Sequence, residues 1–254
     1  MILSDLLTSY VQLKPKSKYM NHIMEVLPKF RVVIETLEEI KKEIVKQSGI
    51  SYESQDARMV ALDSIQISIS AVGMWISTSN SLANEYTHEN KFDEAKFLKS
   101  VCSGVNISQT EEIMFTHLRL GFMTLAHFKI DNLFHNVLKH LNSLPTRTGY
   151  WNLTDKILET CSISKTGTEK DSLTAFANLR NSLHGNGIHR TNSLNITIDG
   201  KVFDFVKDSR VECASWNHIV ILLESNIDIL KQILLSSIVT NIRTEIVDDY
   251  ASGN

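Results

Sequence analysis

Ten glycines and three prolines spread over 254 residues leave long stretches with nothing to interrupt a helix. Sandwiches and barrels need a turn every few residues, so the scarcity of breakers disfavours them and favours long helices. Hydrophobic residues are 43% and charged residues 22% of the chain, close to globular averages, which excludes a disordered polymer. The expected fold is all-α: a helical bundle with one small β-hairpin insertion near residues 195–206. At this length the chain holds one domain with an extension, or two small ones.

Apolar spacing places the elements. Leu3, Leu6, Leu7, Tyr10 and Val11 suggest a short helix, followed by a solvated basic linker over Lys14–Lys18. A helix is expected from Tyr19 to Gly49, with Pro28 either a kink or a first-turn residue. A second is expected from about Glu53 to Ala83, although Ile65–Ser70 alternates with period two and admits a strand. Phe92–Val101 reads as a shorter helix, with a seam near Ser103-Gly104. The division drawn is residues 1–105 as an N-terminal helical region and 106–254 as a helical bundle.

Ser108-Gln109-Thr110-Glu111 has the form of a capping box and opens an apolar stripe that runs until Leu144-Pro145. His117, His127, His135 and His140 ride on this helix. No two are four apart and no HExxH frame is present, so a metal site is not expected and each reads as an edge or surface residue. Helices are expected over Asn152–Ile163 and Glu169–His184. Asp199-Gly200 between two alternating runs, Asn195–Ile198 and Val202–Val206, is a hairpin signal. A long final helix follows from Ala214 or Ser215 through Ile238, and the acidic tail from Glu245 reads as frayed.

A formal net charge of −3 gives no global field for nucleic acid, so any such contact is local. Cys102, Cys161 and Cys213 are an odd number without metal-ligand spacing and read as reduced thiols. Met1 leads into no basic region followed by an apolar run, so a cytoplasmic address is expected. The uncharged stretch Ser64–Asn84 approaches spanning length, but Gln66, Asn80 and several Ser and Thr mark it as a buried helix rather than a membrane span.

The segment densest in chemistry is Leu179-Arg180-Asn181-Ser182-Leu183-His184-Gly185-Asn186-Gly187. On a helix, Arg180 and His184 lie about one turn and ~40° apart, so both heads reach one small target. Leu173, Phe176, Leu179 and Leu183 occupy or border the same side, which sets the pair at the margin of the apolar face. A guanidinium supplies fixed donors for phosphate, and an imidazole can move a proton near neutral pH. Taken alone, the same residues better suit a helix end, where cations meet the dipole and glycine terminates the turn.

An Arg, a polar follower and a His near a helix end, after a long capped helix and before a closing one, resemble the HEPN superfamily over about Ser108–Ser236. Three residues separate Arg180 from His184, where the family typically has four to six. The resemblance implies a metal-independent endoribonuclease acting as a homodimer, with a place in bacterial defence or stress response and a possible protein regulator. Arg180 would hold the scissile phosphate, His184 would activate the 2′-hydroxyl or protonate the leaving oxygen, and Asn181 would orient either. Asn186 stands where some members carry a modifiable tyrosine, so a toxin–antitoxin mechanism based on that residue is not implied.

No metal is expected from the histidine spacing and no cofactor without a P-loop or GxGxxG, and no Ser-His-Asp order is visible either. His189 lies beyond the motif, within reach only if its loop folds back. Lys165, Lys170, Arg180, Arg190 and Lys201 outnumber Glu169, Asp171 and Asp199 and suggest a positive rim. The alternative reading is a non-catalytic helical interaction module, in which Arg180, Asn181 and His184 form a structural cluster at a bundle end or dimer interface. A sealed pair bonded to its own backbone carbonyls would favour that alternative, and a small-molecule binder stands as a third class.

Overall fold

The structure, a computed structural model, describes residues 25–88 and 107–248, with the side chains of 76–88, 107–112 and 114 excepted. The described residues form seven helices and one hairpin: α1 (Leu27–Ser48), α2 (Ala57–His88), α3 (Ile107–His140), α4 (Tyr150–Thr160), α5 (Thr168–His184), β1 (Leu194–Ile198), β2 (Lys201–Phe205), α6 (Trp216–Leu234) and α7 (Ser237–Thr240). The protein is an all-α bundle with a small antiparallel insertion. The short N-terminal helix, the basic linker, the Phe92–Val101 helix, the seam near residue 105, Cys102 and the capping-box side chains lie outside the described residues.

Pro28 sits in the first turn of α1, where its missing N–H costs no helical bond, and Gly49 closes the helix in a left-handed conformation. The alternating run in α2 is helical. Ile65, Ile69 and Val72 are buried while Ile67 is 67% exposed, which is the 3.6-residue period and not alternation. α2 begins at Ala57 rather than Glu53 because the Asp56 carboxylate accepts the Arg58 backbone N–H at 2.8 Å, as an N-cap does. α3 stops at His140, ahead of Pro145, through Asn142 at φ 52°.

Aromatic rings tie the first, third and sixth helices together. Phe30 lies 5.7 Å from Phe122 and 6.0 Å from Trp216, and Phe122 lies 6.0 Å from Trp216. α2 runs along α3, α1 bridges α2 and α6, and α5 packs against both α3 and α6. Inside the α5–α6 contact, Asn226 donates to Ser172 Oγ at 3.0 Å and to Leu222 O at 2.7 Å. The hairpin pairs Leu194 with Phe205 through Ile198 with Lys201, and Asp199 and Gly200 both take the positive φ its tight turn requires. Its inward residues Ile196, Ile198, Phe203 and Phe205 are buried, and β1 rests on α5 and α6.

Two expectations for the C-terminal region are corrected. The last long helix does not run through Ile238. It ends at Leu234 because Ser236 turns extended and returns its hydroxyl to Ile233 O at 2.7 Å, and α7 starts afresh. Nor is the tail frayed through residue 248. Arg58, with no exposed surface, is paired at 2.8 Å with Asp56 and donates to the carbonyls of Val239, Ile242 and Thr244, while Asp56 accepts the Ile246 N–H at 2.7 Å. Asp248, in turn, accepts from Asn132 at 2.8 Å and Asn136 at 3.4 Å, so an acidic segment is held by buried donors.

A second polar cluster lies between α1 and α2. Lys41, only 3% exposed, donates to Asp63 at 2.8 Å and pairs with Glu38 at 2.6 Å. Burial alone would lower the Lys41 pKa, but the bonds to Asp63 and Glu38 outweigh it and hold the ammonium above its ordinary range. No helix among the described residues is long and apolar enough to cross a membrane.

Candidate active site

α5 is placed by its apolar side and started by acids. Leu173, Phe176 and Leu179 are fully buried, and Glu169 and Asp171 stand in the first turn, where a carboxylate favours the helix dipole. Leu183 is partly buried against the same core. With these residues inward, Arg180 is half-buried and Asn181 and His184 are exposed, so the pair does sit at the edge of the buried face.

Arg180 Nη1 donates to Asn181 Oδ1 at 2.9 Å. His184 Nε2 lies 2.9 Å from Thr124 Oγ1 on α3. Among the described residues, neither head is bonded to a backbone carbonyl, and Arg180 Nε is buried without a partner. α3 and α5 are antiparallel here: Thr124 meets His184, while one and two turns later on α3 His127, Phe128 and Asp131 share a cleft with Arg180, Asn181 and Ala177.

That cleft contains Asp131 and Tyr150, to which no sequence motif points, and His127, whose expected place was an edge or the surface. His127 is not an edge residue; it is 6% exposed, its ring 4.4 Å from the Tyr150 ring and stacked 6.0 Å from Phe176. Burial first, then the nearby charges of Arg180 and His184, depress its pKa to about 4, so the imidazole is neutral at neutral pH. Burial raises the Asp131 pKa against the opposing pull of His135 and Arg180. Burial likewise raises that of Tyr150, whose hydroxyl donates to Leu173 O at 3.3 Å. A signal for His127 was present in the sequence: it falls in register with Met123, Ile130 and Phe134, all of them buried.

His189 does fold back, but away from the pair. Its Nδ1 lies 3.2 Å from Ser182 Oγ and its Nε2 donates to Asn192 O at 2.9 Å. Ser182 sits about 200° round the helix from Arg180, so His189 belongs to the buried side. The loop is pinned by Gly187 O accepting from Val211 N at 2.8 Å and by a bridge between Ile188 and Arg210. The left-handed residues that end α5 are Asn186 and Gly187; Gly185 has φ −81° and serves another purpose. A Cβ there would come within 2.9 Å of Ile188 O.

The expected positive rim is largely neutralised. Lys165 pairs with Glu159 at 2.9 Å, Lys170 with Asp155, and Arg190 with Asp208 at 3.5 Å. Arg180 is in no such ion pair among the described residues, which leaves its guanidinium as a cation available to an anion. Cys161 and Cys213 are buried free thiols whose pKa values burial raises, which makes them poor nucleophiles.

No family model, no curated protein and no solved structure matches the chain. The chemistry therefore rests on the arrangement itself: an accessible imidazole oriented by a hydroxyl, an adjacent guanidinium oriented by an amide, and a shallow cleft beside them.

Proposed function

We propose that Arg180, Asn181 and His184 cleave RNA without a metal ion, and that two copies of the chain bring their α5 helices together to do so. The observation that carries this reading is the openness of the motif. Its guanidinium and imidazole heads are bonded to the side chains of Asn181 and Thr124 rather than sealed on backbone carbonyls, as a purely structural cluster at a bundle end would have them. The likeness of the segment to the HEPN superfamily belongs to the same reading, as does a role in bacterial defence or stress response.

In this reaction the 2′-oxygen attacks the adjacent phosphorus, the bond from phosphorus to the 5′-oxygen breaks, and the leaving oxygen takes a proton. The products are a 2′,3′-cyclic phosphate and a 5′-hydroxyl. The Arg180 guanidinium neutralises the non-bridging oxygens, and Asn181 fixes its orientation. One imidazole serves as acid or base, and the second copy supplies the complementary one. Exposed Leu125 on α3, next to Thr124, offers apolar surface beside the motif for such a pairing.

The test is incubation of the purified protein with structured and unstructured RNA in EDTA, beside His184→Ala and Arg180→Ala, with the stability and oligomeric state of all three measured in parallel. Cleavage by the wild type to cyclic-phosphate ends, with a loss of about 100- to 10,000-fold in His184→Ala, is expected. Equal inertness of all three, with the variants losing stability or dimerisation, would transfer the motif to the non-catalytic interaction module.

A further inference from the structure

The cleft between α3, α4 and α5 has a volume of about 150 Å³ and is lined by His127, Asp131, Tyr150, Trp151, Arg180 and Asn181 among others. That is room for about five water molecules at ~30 Å³ each. It is well below the ~300 Å³ at which pockets for drug-sized molecules begin, so it suits one small heterocycle rather than a whole nucleotide.

Its walls and its polar atoms point to the same kind of guest. The His127 and Tyr150 rings lie against each other on one side, and Trp151, 42% exposed, and Phe128, 37% exposed, flank the opening. Flat walls of this kind take a π-face. Three buried polar atoms of the lining residues have no partner among the described residues: His127 Nε2, Asp131 Oδ1 and Arg180 Nε. They comprise an acceptor, a donor and a ring nitrogen that takes either part according to its tautomer. Leaving such groups unpaired is costly, and a planar edge carrying N–H donors beside C=O acceptors would satisfy them. Among the described residues, the Arg180 head is hydrogen-bonded only to the exposed Asn181 amide, a contact that an incoming edge can displace.

We propose that this cleft receives one unstacked nucleobase of the RNA, stacked on Trp151 and read along its edge by Asp131 and His127. The proposal rests on the ribonuclease reading above, because the base must enter from a strand whose phosphate lies at Arg180. Unpaired bases are the usual targets of RNA recognition, since only they present both a face and an edge. Asp131 is then a specificity-determining residue, and Trp151 a stacking platform.

Short 2′-O-methyl RNA oligonucleotides, which lack the nucleophile, separate binding from cleavage. They carry each of the four bases, or an abasic sugar, at one position, and binding is read by anisotropy and by tryptophan fluorescence. Removing the base should weaken binding about 5- to 150-fold, the range for a base stacked on an aromatic ring. Trp151→Ala should abolish the dependence on the base, whereas Trp151→Phe keeps it and loses the quenching. Asp131→Asn should reorder the preference among the four bases, with urea unfolding confirming that each variant is folded. Base-dependent binding without cleavage of the unmodified RNA sustains the pocket and removes the ribonuclease. Cleavage with binding indifferent to base, abasic sugar and Trp151→Ala overturns the pocket and leaves the ribonuclease. Neither binding nor cleavage overturns both.

Discussion

His184 Nε2 and Thr124 Oγ1 lie 2.9 Å apart, so a hydroxyl sixty positions earlier in the chain sets the orientation of the motif imidazole. Because His184 is exposed, this bond costs little to lose in stability and matters chiefly for geometry. Thr124→Val should leave the unfolding free energy measured in urea within about 0.5 kcal/mol of wild type. If His184 acts in RNA cleavage as proposed, the same change should slow that cleavage by on the order of tenfold to hundredfold, as a misplaced catalytic group does. Thr124→Ser should restore the rate. A Val variant that cleaves at the wild-type rate would show that His184 needs no such support.

His127 makes the protein sensitive to acid. Its pKa is held near 4 in the folded chain against ~6.5 when unfolded. Above ~6.5 the ring is neutral in both states and contributes no pH dependence. As the pH falls from there towards 4, the unfolded chain binds a proton that the folded chain refuses, so stability falls; by about pH 5 the loss reaches about 2 kcal/mol. Asp131, with its raised pKa, acts in the opposite sense because its folded state binds the proton more readily. His127→Phe keeps the contacts with Tyr150 and Phe176 and removes the titration. Denaturant unfolding across this range should show the variant gaining on wild type as the pH drops, and parallel curves would contradict the assignment.

Gly185 is required by a close approach and not by its own backbone angle. A Cβ there meets Ile188 O at 2.9 Å and the carbonyls of Asn181 and Ser182 at 3.4 Å. Gly185→Ala should destabilise by about 1–3 kcal/mol, the range for overpacking against a neighbour that cannot yield. A lower urea midpoint at constant slope would report this strain, since restriction of the unfolded chain by Ala acts in the opposite, stabilising sense. The same change should disturb the loop that follows His184.

The Asp56–Arg58 pair holds the C-terminal tail to the start of α2. Arg58→Met leaves a buried carboxylate unpaired and should cost about 3–5 kcal/mol. Adding Asp56→Asn removes the stranded charge but keeps one oxygen where the carboxylate used Oδ1 for the position-58 N–H and Oδ2 for the Ile246 N–H, so it should recover only part of the loss. A double-mutant cycle in urea measures this coupling. Limited proteolysis should cut near residues 245–248 in Arg58→Met before it does so in wild type, because the tail carbonyls lose their donor.

Elements carried by local rules were legible in the sequence. Pro28 and Gly49 bracket α1, Asp199-Gly200 fixes the hairpin, and the Leu173–Leu183 stripe sets α5 with Arg180 and His184 on its margin. Boundaries decided by a single side chain returning to the backbone were less so, as Asp56 shows at the start of α2 and Ser236 at the end of α6. His127 was misread for a different reason. Its spacing from the other histidines says nothing of burial; the register with Met123, Ile130 and Phe134 is what buries it.

The sequence by itself determined the helical class, the hairpin turn and the adjacency of Arg180 to His184, because a breaker, a turn residue or a spacing of four acts within one or two turns of chain. Tertiary structure decided that Thr124 stands at His184, that His127, Asp131 and Tyr150 close round Arg180, and that the tail docks on Asp56 and Arg58. These contacts join positions tens to nearly two hundred residues apart. Which side chains meet at that range depends on how the apolar faces of whole helices pack, and no local rule carries that information.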